Sequence, residues 1–128
     1  MADIFITGSA RTAIGSFQGA FSTLSAPELG GHAIQAALAQ SGIDATAIDD
    51  VIMGCVLPAG LGQAPARQAG FHAGLSNAIP ATTVNKMCGS GMKAVMLGYD
   101  QLASGDVSSV IAGGMESMTN APYLLPKM

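Results

Sequence analysis

Short apolar runs alternate along the chain with longer Ala-rich stretches that have helical spacing. Four runs are predicted as strands: Ile4–Thr7, Val51–Val56, a run that starts at Thr82–Val84, and Val107–Ala112. The helical stretches between them follow the pattern of β-α-β units, which build a mostly parallel sheet. Right-handed crossovers would make all four strands parallel and gather functional groups at their carboxyl ends. The sequence therefore predicts an α/β fold.

Local signals mark the ends of the first two predicted helices. Ser25 and Glu28 form a capping box at the start of the first helix, and Gly42 ends it. The second helix is predicted from about Pro65 to Ala73, with Gly74 as its stop.

The third predicted helix is apolar around most of its circumference. Its apolar residues are Val95, Met96, Leu97, Tyr99 and Leu102. We expect such a helix to be buried inside a layered structure, and residues 104–106 (Ser-Gly-Asp) to close it.

The composition fits one compact domain that leaves apolar surface uncovered. Of 128 residues, 49% are hydrophobic and 10% are charged, against about a quarter charged in an ordinary soluble domain. The mean hydropathy of +0.43 agrees with that imbalance. We expect part of this surface to meet another chain or a further segment. No apolar run approaches the roughly 20 residues of a spanning helix, so no membrane association is expected.

Charge, cysteine content and the N-terminal residues argue against several kinds of partner, site and location. The net charge is −3 and the five basic residues do not cluster, which argues against a nucleic-acid partner. The start of the sequence has neither a secretory signal pattern nor an Arg-rich transit pattern, so a cytoplasmic location is expected. Cys55 and Cys88 lack CxxC spacing, which predicts two free thiols instead of a zinc site or a disulfide.

Cys88 lies between a predicted strand and a predicted helix, and Gly89 and Gly91 follow it closely. At a helix start, unpaired N–H groups and the positive end of the dipole favour the thiolate, which is the nucleophilic form. The glycines would let a bulky thioester approach the sulfur and leave nearby N–H groups to face an oxyanion. From spacing alone, a buried cysteine at a tight turn is an equally good interpretation.

The same glycines also fit part of the dinucleotide-binding fingerprint, as Gly89-x-Gly91-x-x-Ala94. That fingerprint normally occupies the first β-α turn, with an acidic residue about 20 positions later at the end of the next strand. Here Asp106 precedes its strand and Glu116 comes late, so the match is poor.

Residues 85–91 (Asn-Lys-Met-Cys-Gly-Ser-Gly) resemble the nucleophile motif of the thiolases, the acetyl-CoA acetyltransferases. Three further segments resemble the family in the expected order. Residues 7–17 are similar to its opening strand and loop, residues 62–69 to its second loop and helix, and residues 112–118 to a later Gly-Gly-Met-Glu segment. The resemblance covers essentially the whole chain.

The resemblance implies a thiolase-like layered fold of which only the N-terminal half is present. Residues 1–118 would form an incomplete N-terminal domain, and residues 119–128 would begin the loop domain. Family members are much longer, so the chain is expected to be too short for the whole enzyme. Ala64 stands where the family commonly has asparagine.

The resemblance also implies a reaction. Cys88 would attack an acyl-CoA, hold the acyl group as a thioester and pass it to a second acetyl-CoA, giving acetoacetyl-CoA, or run the reverse cleavage. Its backbone N–H would contribute to an oxyanion hole. Acetyl-CoA and acyl-CoA are the implied substrates, in fatty acid metabolism, without a metal or redox cofactor. The complete protein would be a homodimer or homotetramer.

Three family motifs have no counterpart in this chain: the Gly-His-Pro histidine, the Asn-Glu segment and the second cysteine in Cys-x-Gly-Gly. A missing base typically removes a rate factor of about 10² to 10⁴, so full turnover by this chain alone is not expected. Two alternatives remain open: a condensing enzyme of the ketoacyl-synthase type, and a non-catalytic thiolase-like fragment that acts in assembly.

Several other chemistry-bearing residues have simpler interpretations. Cys55 is interpreted as a core residue, and His32 and His72 as surface or capping residues. Arg67 and Gln68 are expected to be structural, and by the resemblance they would support a subunit contact or the nucleophile loop.

The methionines and lysines near Cys88 have more than one interpretation. Met96 is interpreted as core, whereas Met115 and Met118 could equally line an acyl pocket. Lys86 and Lys93 flank the cysteine but are interpreted as solvated side chains.

Overall fold

Three parallel strands and three α-helices make up the regular structure of residues 3–127, the part of the chain that the computed structural model describes. In chain order they are α1 (Ala26–Ser41), β1 (Asp50–Gly54), α2 (Pro65–His72), β2 (Ala81–Val84), α3 (Ser90–Ser104) and β3 (Val110–Gly114). Short 3₁₀ helices lie at Ala45–Ala47 and Met118–Asn120. Residues 1, 2 and 128, which the expected domain boundaries include, lie outside the described residues. Among the described residues, no helix is long and apolar enough to cross a membrane.

The strands form a parallel sheet in the order β2-β1-β3. Ile52 in the central strand pairs with Thr82 on one side and Ala112 on the other. All five residues of β1 are buried, as its continuous apolar run requires of a strand covered on both faces. The predicted α/β fold with a parallel sheet is confirmed for these three strands.

The predicted first strand, Ile4–Thr7, is wrong. This segment has no strand partner, and Phe5 and Ile6 are 76% and 84% exposed. It runs instead beside the end of α1. The Ser9 backbone N–H donates to the Gln40 side chain at 2.6 Å. Apolar, β-prone residues predicted a strand, but a strand forms only where a neighbouring backbone completes its hydrogen bonds.

The last strand begins three residues later than predicted, at Val110 instead of Val107. The Asp49 carboxylate accepts hydrogen bonds from the backbone N–H groups of Ser108 and Ser109, at 2.7 and 3.1 Å. Those N–H groups are therefore unavailable to a strand ladder, and the segment before Val110 remains a loop.

The predicted helix ends are confirmed. Ser25 and Glu28 form a reciprocal capping box, in which the Glu28 carboxylate accepts from the Ser25 N–H at 2.7 Å. That hydrogen bond lowers the pKa of Glu28 below its ordinary value. Gly42, Gly74 and Gly105 all have positive φ, at 69°, 84° and 82°, and follow the three helices as expected.

Helices cover both faces of the sheet. Val51, Met53 and Cys55 belong to a core cluster with residues of α1 and α2. Because side chains alternate along a strand, the intervening Ile52 and Gly54 face the other way, toward α3. There the backbones meet closely, since a Cβ added at Gly54 would lie 2.5 Å from the Ser90 carbonyl carbon.

The prediction that α3 is buried inside a layered structure is confirmed for one face of the helix and wrong for the opposite face. Only Ser90, Ala94 and Gly98 are buried, and these residues recur at the spacing of one helix face. The opposite face carries apolar side chains that are half to three-quarters exposed: Met92, Val95, Met96 and Tyr99. Apolarity around the helix is real, but burial requires a second layer of protein on that side.

Candidate active site

Cys88 lies in the five-residue link between the end of β2 at Val84 and the start of α3 at Ser90. It is exposed and has a free thiol. Gly89 is the N-cap of α3, so the cysteine precedes the helix by one further residue. The predicted place of Cys88, between a strand and a helix start, is confirmed, and its interpretation as a buried cysteine is excluded.

The turn that carries Cys88 is closed by its own backbone. The Gly89 N–H donates to the Lys86 carbonyl and the Ser90 N–H donates to the Met87 carbonyl, each at 3.1 Å. The expectation that the glycines leave nearby N–H groups open is therefore wrong for Gly89. Among residues 3–127, no side chain caps the start of α3. The positive end of the helix thus adjoins the cysteine without a competing side-chain acceptor.

Gly91 has a structural use that the sequence did not indicate. A Cβ added at Gly114 would lie 3.0 Å from the Gly91 Cα, so the first turn of α3 packs directly on the end of β3. Together with Gly54, these glycines let backbone approach backbone where α3 meets the carboxyl ends of β1 and β3. The sheet thereby fixes where the helix starts, and the nucleophile turn with it.

A cleft of about 640 Å³ opens beside Cys88. Four segments form most of its walls: residues 11–17, residues 54–57, the turn with Cys88 and the start of α3, and residues 114–119. Most of its lining is apolar and includes Ile14 and Phe17. Such walls suit the acyl chain of a thioester and limit the access of water to it.

The structure distinguishes the methionines whose roles the sequence left open. Met115 and Met118 both line the cleft. Met115 is only 8% exposed and also belongs to the core cluster, whereas Met118 is 67% exposed. The interpretation of Met96 as core is wrong, since it lies on the open face of α3 and is 53% exposed.

Glu116 is a site residue that sequence reasoning missed. It follows β3 and lines the cleft. One carboxylate oxygen accepts from the Val56 N–H at 2.9 Å, and the other accepts from the Leu57 N–H at 3.1 Å. Both oxygens therefore hold the loop after β1, which forms one wall of the cleft. The available signals were an acidic residue two positions after a Gly-Gly strand end, in a chain with only eight acidic residues, and the resemblance of residues 112–118 to a family segment.

Cys55 is in the core, as predicted, and is 1% exposed. Its thiol contacts the Glu116 carboxylate at 3.7 Å. Burial raises the pKa of Cys55 to about 11, and the adjacent carboxylate adds to the rise. A thiol that remains protonated near neutral pH is a poor nucleophile, so Cys55 is unsuited to acyl transfer.

Arg67 and Gln68 hold the loops at the two ends of α2. The Arg67 guanidinium donates to the Asn77 carbonyl at 2.7 Å and lies 5.0 Å from the centroid of the Phe71 ring. The Gln68 amide donates to the carbonyls of two residues before the helix, Leu61 and Gln63. Their structural role is confirmed, and neither side chain lines the cleft.

The two histidines and two lysines considered from the sequence do not line the cleft. His32, His72 and Lys86 are exposed, and Lys93 is half-buried. Within residues 3–127, no three His, Cys, Asp or Glu side chains come together in a way that could hold a metal ion. The chemistry of this cleft therefore centres on the Cys88 sulfur.

Comparison with known proteins gives one consistent match. Residues 4–128 match the family described as thiolase, N-terminal domain. The chain is 51% identical over 126 residues to an acetyl-CoA acetyltransferase of Pseudomonas aeruginosa, covering 98% of this chain and 32% of that protein. It is 53% identical over 126 residues to the acetyl-CoA acetyltransferase of Saccharomyces cerevisiae, covering 97% of this chain and 32% of that protein. The chain thus spans about a third of the length of these relatives.

Proposed function

The chain belongs to the thiolase family, and from that premise we propose that Cys88 is the nucleophile of an acetyl-CoA acetyltransferase. The Cys88 thiolate attacks the carbonyl carbon of an acyl-CoA thioester. The tetrahedral intermediate then expels CoA as a thiolate, which takes up a proton. The acyl group remains on the Cys88 sulfur as a new thioester, and no metal or redox cofactor enters this step.

One observation carries the proposal. The exposed thiol of Cys88 adjoins the start of α3 and opens into an apolar cleft. The positive end of the helix adjoins the turn that carries the sulfur, and the apolar walls suit the acyl chain. The nearest N–H groups, those of Gly89 and Ser90, are occupied within the turn. We therefore assign the oxyanion contact within this turn to the backbone N–H of Cys88 itself.

The second half-reaction joins the acyl group to the carbanion of a second acetyl-CoA, giving acetoacetyl-CoA, or runs in reverse as thiolytic cleavage. It needs a base to take the proton from the attacking carbon. His32 and His72 do not line the cleft. We assign this base to sequence beyond the third of the relatives' length that the chain spans.

The proposal extends to the setting of the whole protein. We propose that it acts on acetyl-CoA or acyl-CoA in fatty acid metabolism, as a homodimer or homotetramer, and that residues 119–128 begin its loop domain. Exposed apolar side chains such as Phe5 and Tyr99 offer surface for subunit contacts. We place it in the cytoplasm, where a reducing environment keeps a nucleophilic thiol free.

Intact-mass spectrometry before and after incubation with acetyl-CoA tests the proposal, with peptide mapping of any acetyl group gained. We expect one acetyl group on Cys88, none in Cys88→Ser, and an unchanged gain in the matched control Cys55→Ser. If this chain remains unacetylated while iodoacetamide shows the Cys88 thiol to be free, the proposal that this part of the protein activates its own nucleophile is overturned.

A further inference from the structure

We propose that Ser90 is a positioning residue for the nucleophile: its hydroxyl holds the turn so that the Cys88 thiolate stays at the positive end of α3. The inference rests on the proposed role of Cys88. It assigns Ser90 a task beyond occupying the first position of the helix.

The Ser90 hydroxyl contacts the two residues that immediately precede Cys88. Its oxygen accepts a hydrogen bond from the Lys86 backbone N–H at 2.8 Å, and its O–H donates to the Met87 carbonyl at 2.6 Å. The side chain thus reaches back across the turn and binds the chain on the other side of the cysteine. Ser90 is 4% exposed, so water does not compete freely for these bonds.

Met87 needs such a restraint because its backbone is left-handed, with φ of 51°. An L-residue other than glycine adopts this region at a steric cost, and persists there only when its surroundings impose it. Packing of the Met87 side chain supplies little restraint, since it is 68% exposed. The hydrogen bond from the Met87 N–H to the Asn85 side chain, at 2.9 Å, is exposed to solvent. The buried Ser90 hydroxyl is therefore the better protected restraint.

Ser90 is itself fixed by the sheet. A Cβ added at Gly54 would lie 2.5 Å from the carbonyl carbon of Ser90 and 2.6 Å from the Cβ of Ser90. Packing against the end of β1 thus fixes the position of Ser90, and the hydrogen bonds of Ser90 fix the turn. Through this chain of contacts, the rigid sheet determines where the Cys88 sulfur stands relative to the helix axis.

The test measures the rate at which iodoacetamide labels Cys88 at pH 7 in Ser90→Ala, with peptide mapping to separate the two cysteines. Ser104→Ala is the matched control, because that serine also makes two local hydrogen bonds, at the other end of α3. Buried Cys55 reports folding in the same sample, since it is labelled only when the core opens. This assay needs no acetyl-CoA, so a failure of the proposed acyl transfer leaves it interpretable.

We expect Cys88 to be labelled about tenfold more slowly in Ser90→Ala, as the loss of one or two hydrogen bonds implies. Cys55 should remain protected, and Ser104→Ala should label Cys88 within about twofold of the unsubstituted chain. Ser90→Thr keeps the hydroxyl, so it should label Cys88 at a rate closer to that of the unsubstituted chain than Ser90→Ala does.

Four results overturn the proposal. One is an unchanged or faster rate at Cys88 in Ser90→Ala. A second is loss of Cys55 protection in that variant, which would make Ser90 a purely structural residue. A third is an equal deficit in Ser104→Ala, which would reflect general weakening of α3. The fourth is a rate in Ser90→Thr as low as that in Ser90→Ala, which would show that the hydroxyl does not position the turn.

Discussion

Cys55 and Cys88 line the same cleft, but only one of them is open to reagents. Cys55 directly follows the central strand and is 1% exposed, whereas Cys88 lies on the exposed turn before α3. Two thiols in one site thus differ in their access to solvent, because one is enclosed by the core and the other lies on an exposed turn.

This contrast predicts selective labelling. At pH 7.5, iodoacetamide should modify Cys88 on the order of 100-fold faster than Cys55, because Cys55 is both buried and protonated. Peptide mapping over a time course measures both rates in one sample. In denaturant the two thiols should react at similar rates, and under native conditions Cys88→Ser should gain label only at the slow rate of Cys55. Comparable native rates would contradict the burial of Cys55.

The raised pKa of Cys55 predicts a loss of stability at alkaline pH. In the unfolded chain the pKa of its thiol is near the ordinary value of 9.0, whereas in the folded chain burial raises the pKa to about 11. Between these values the unfolded state binds fewer protons, so the free energy of unfolding falls as the pH rises. Urea titrations at pH 8, 9, 10 and 11 under reducing conditions measure this slope. Cys55→Ala should show a shallower slope, and identical slopes would exclude the thiol as the cause.

Gly31 predicts a strong steric effect where α1 packs on α2. A Cβ added there would lie 2.4 Å from the His72 Cβ, so Gly31→Ala should destabilise the fold by about 1–3 kcal/mol. Gly70→Ala is a matched control on α2, since a Cβ added at Gly70 would lie 3.5 Å from the nearest atom, Cδ1 of Leu75, which is an ordinary van der Waals distance. That variant should gain up to about 1 kcal/mol from helix propensity. Chemical denaturation measures the free energy of unfolding of both variants. A change of the same sign in the two variants would contradict the packing argument.

Ala64 predicts a substitution that stabilises the chain. It is the N-cap of α2 and has a left-handed backbone, with φ of 49° and no side-chain cap. Asparagine tolerates this region better than alanine, so Ala64→Asn should raise the free energy of unfolding by about 0.5–1 kcal/mol. The control Ala103→Asn, on the exposed side of α3, should lower it through helix propensity. A loss of stability in Ala64→Asn would show that the turn disfavours the larger side chain.

Ala64 also shows what the sequence could and could not predict. The resemblance indicated that asparagine is common at this position, but only the backbone angle explains why. The capping box of Ser25 and the glycine after each helix were predictable, because their signals lie within a few residues of the structure they determine. The placement of Cys88 between strand and helix was predictable for the same reason.

Features that depend on distant partners were not predictable. Ile4–Thr7 has the composition of a strand but no neighbouring strand, and the open face of α3 has apolar residues without a covering layer. The role of Glu116 depends on Val56 and Leu57, about sixty residues earlier in the chain. No local sequence pattern predicts these hydrogen bonds, since they depend on the register of β1 and β3.

Glu116 carries the last prediction, because its carboxylate joins the ends of these two strands. Glutamine has the same shape but keeps only one acceptor oxygen, so Glu116→Gln would set an N–H₂ group against one of two backbone N–H donors, Val56 or Leu57. A donor left unsatisfied in a half-buried site costs about 1–3 kcal/mol, and we expect a loss of stability of that size. Asp106→Asn removes the same charge at an exposed position and should change stability by less than about 0.5 kcal/mol.

The same substitution also tests the link between Glu116 and Cys55. Loss of the carboxylate removes one cause of the raised pKa of Cys55, although burial, the larger cause, remains. The alkaline loss of stability should therefore still begin near pH 9 in Glu116→Gln but level off at a lower pH and be smaller, as urea titrations across pH 8 to 11 would show. If Glu116→Gln is as stable as the unsubstituted chain and keeps its alkaline slope, the carboxylate does not hold the loop after β1, and the cleft wall is fixed by packing alone.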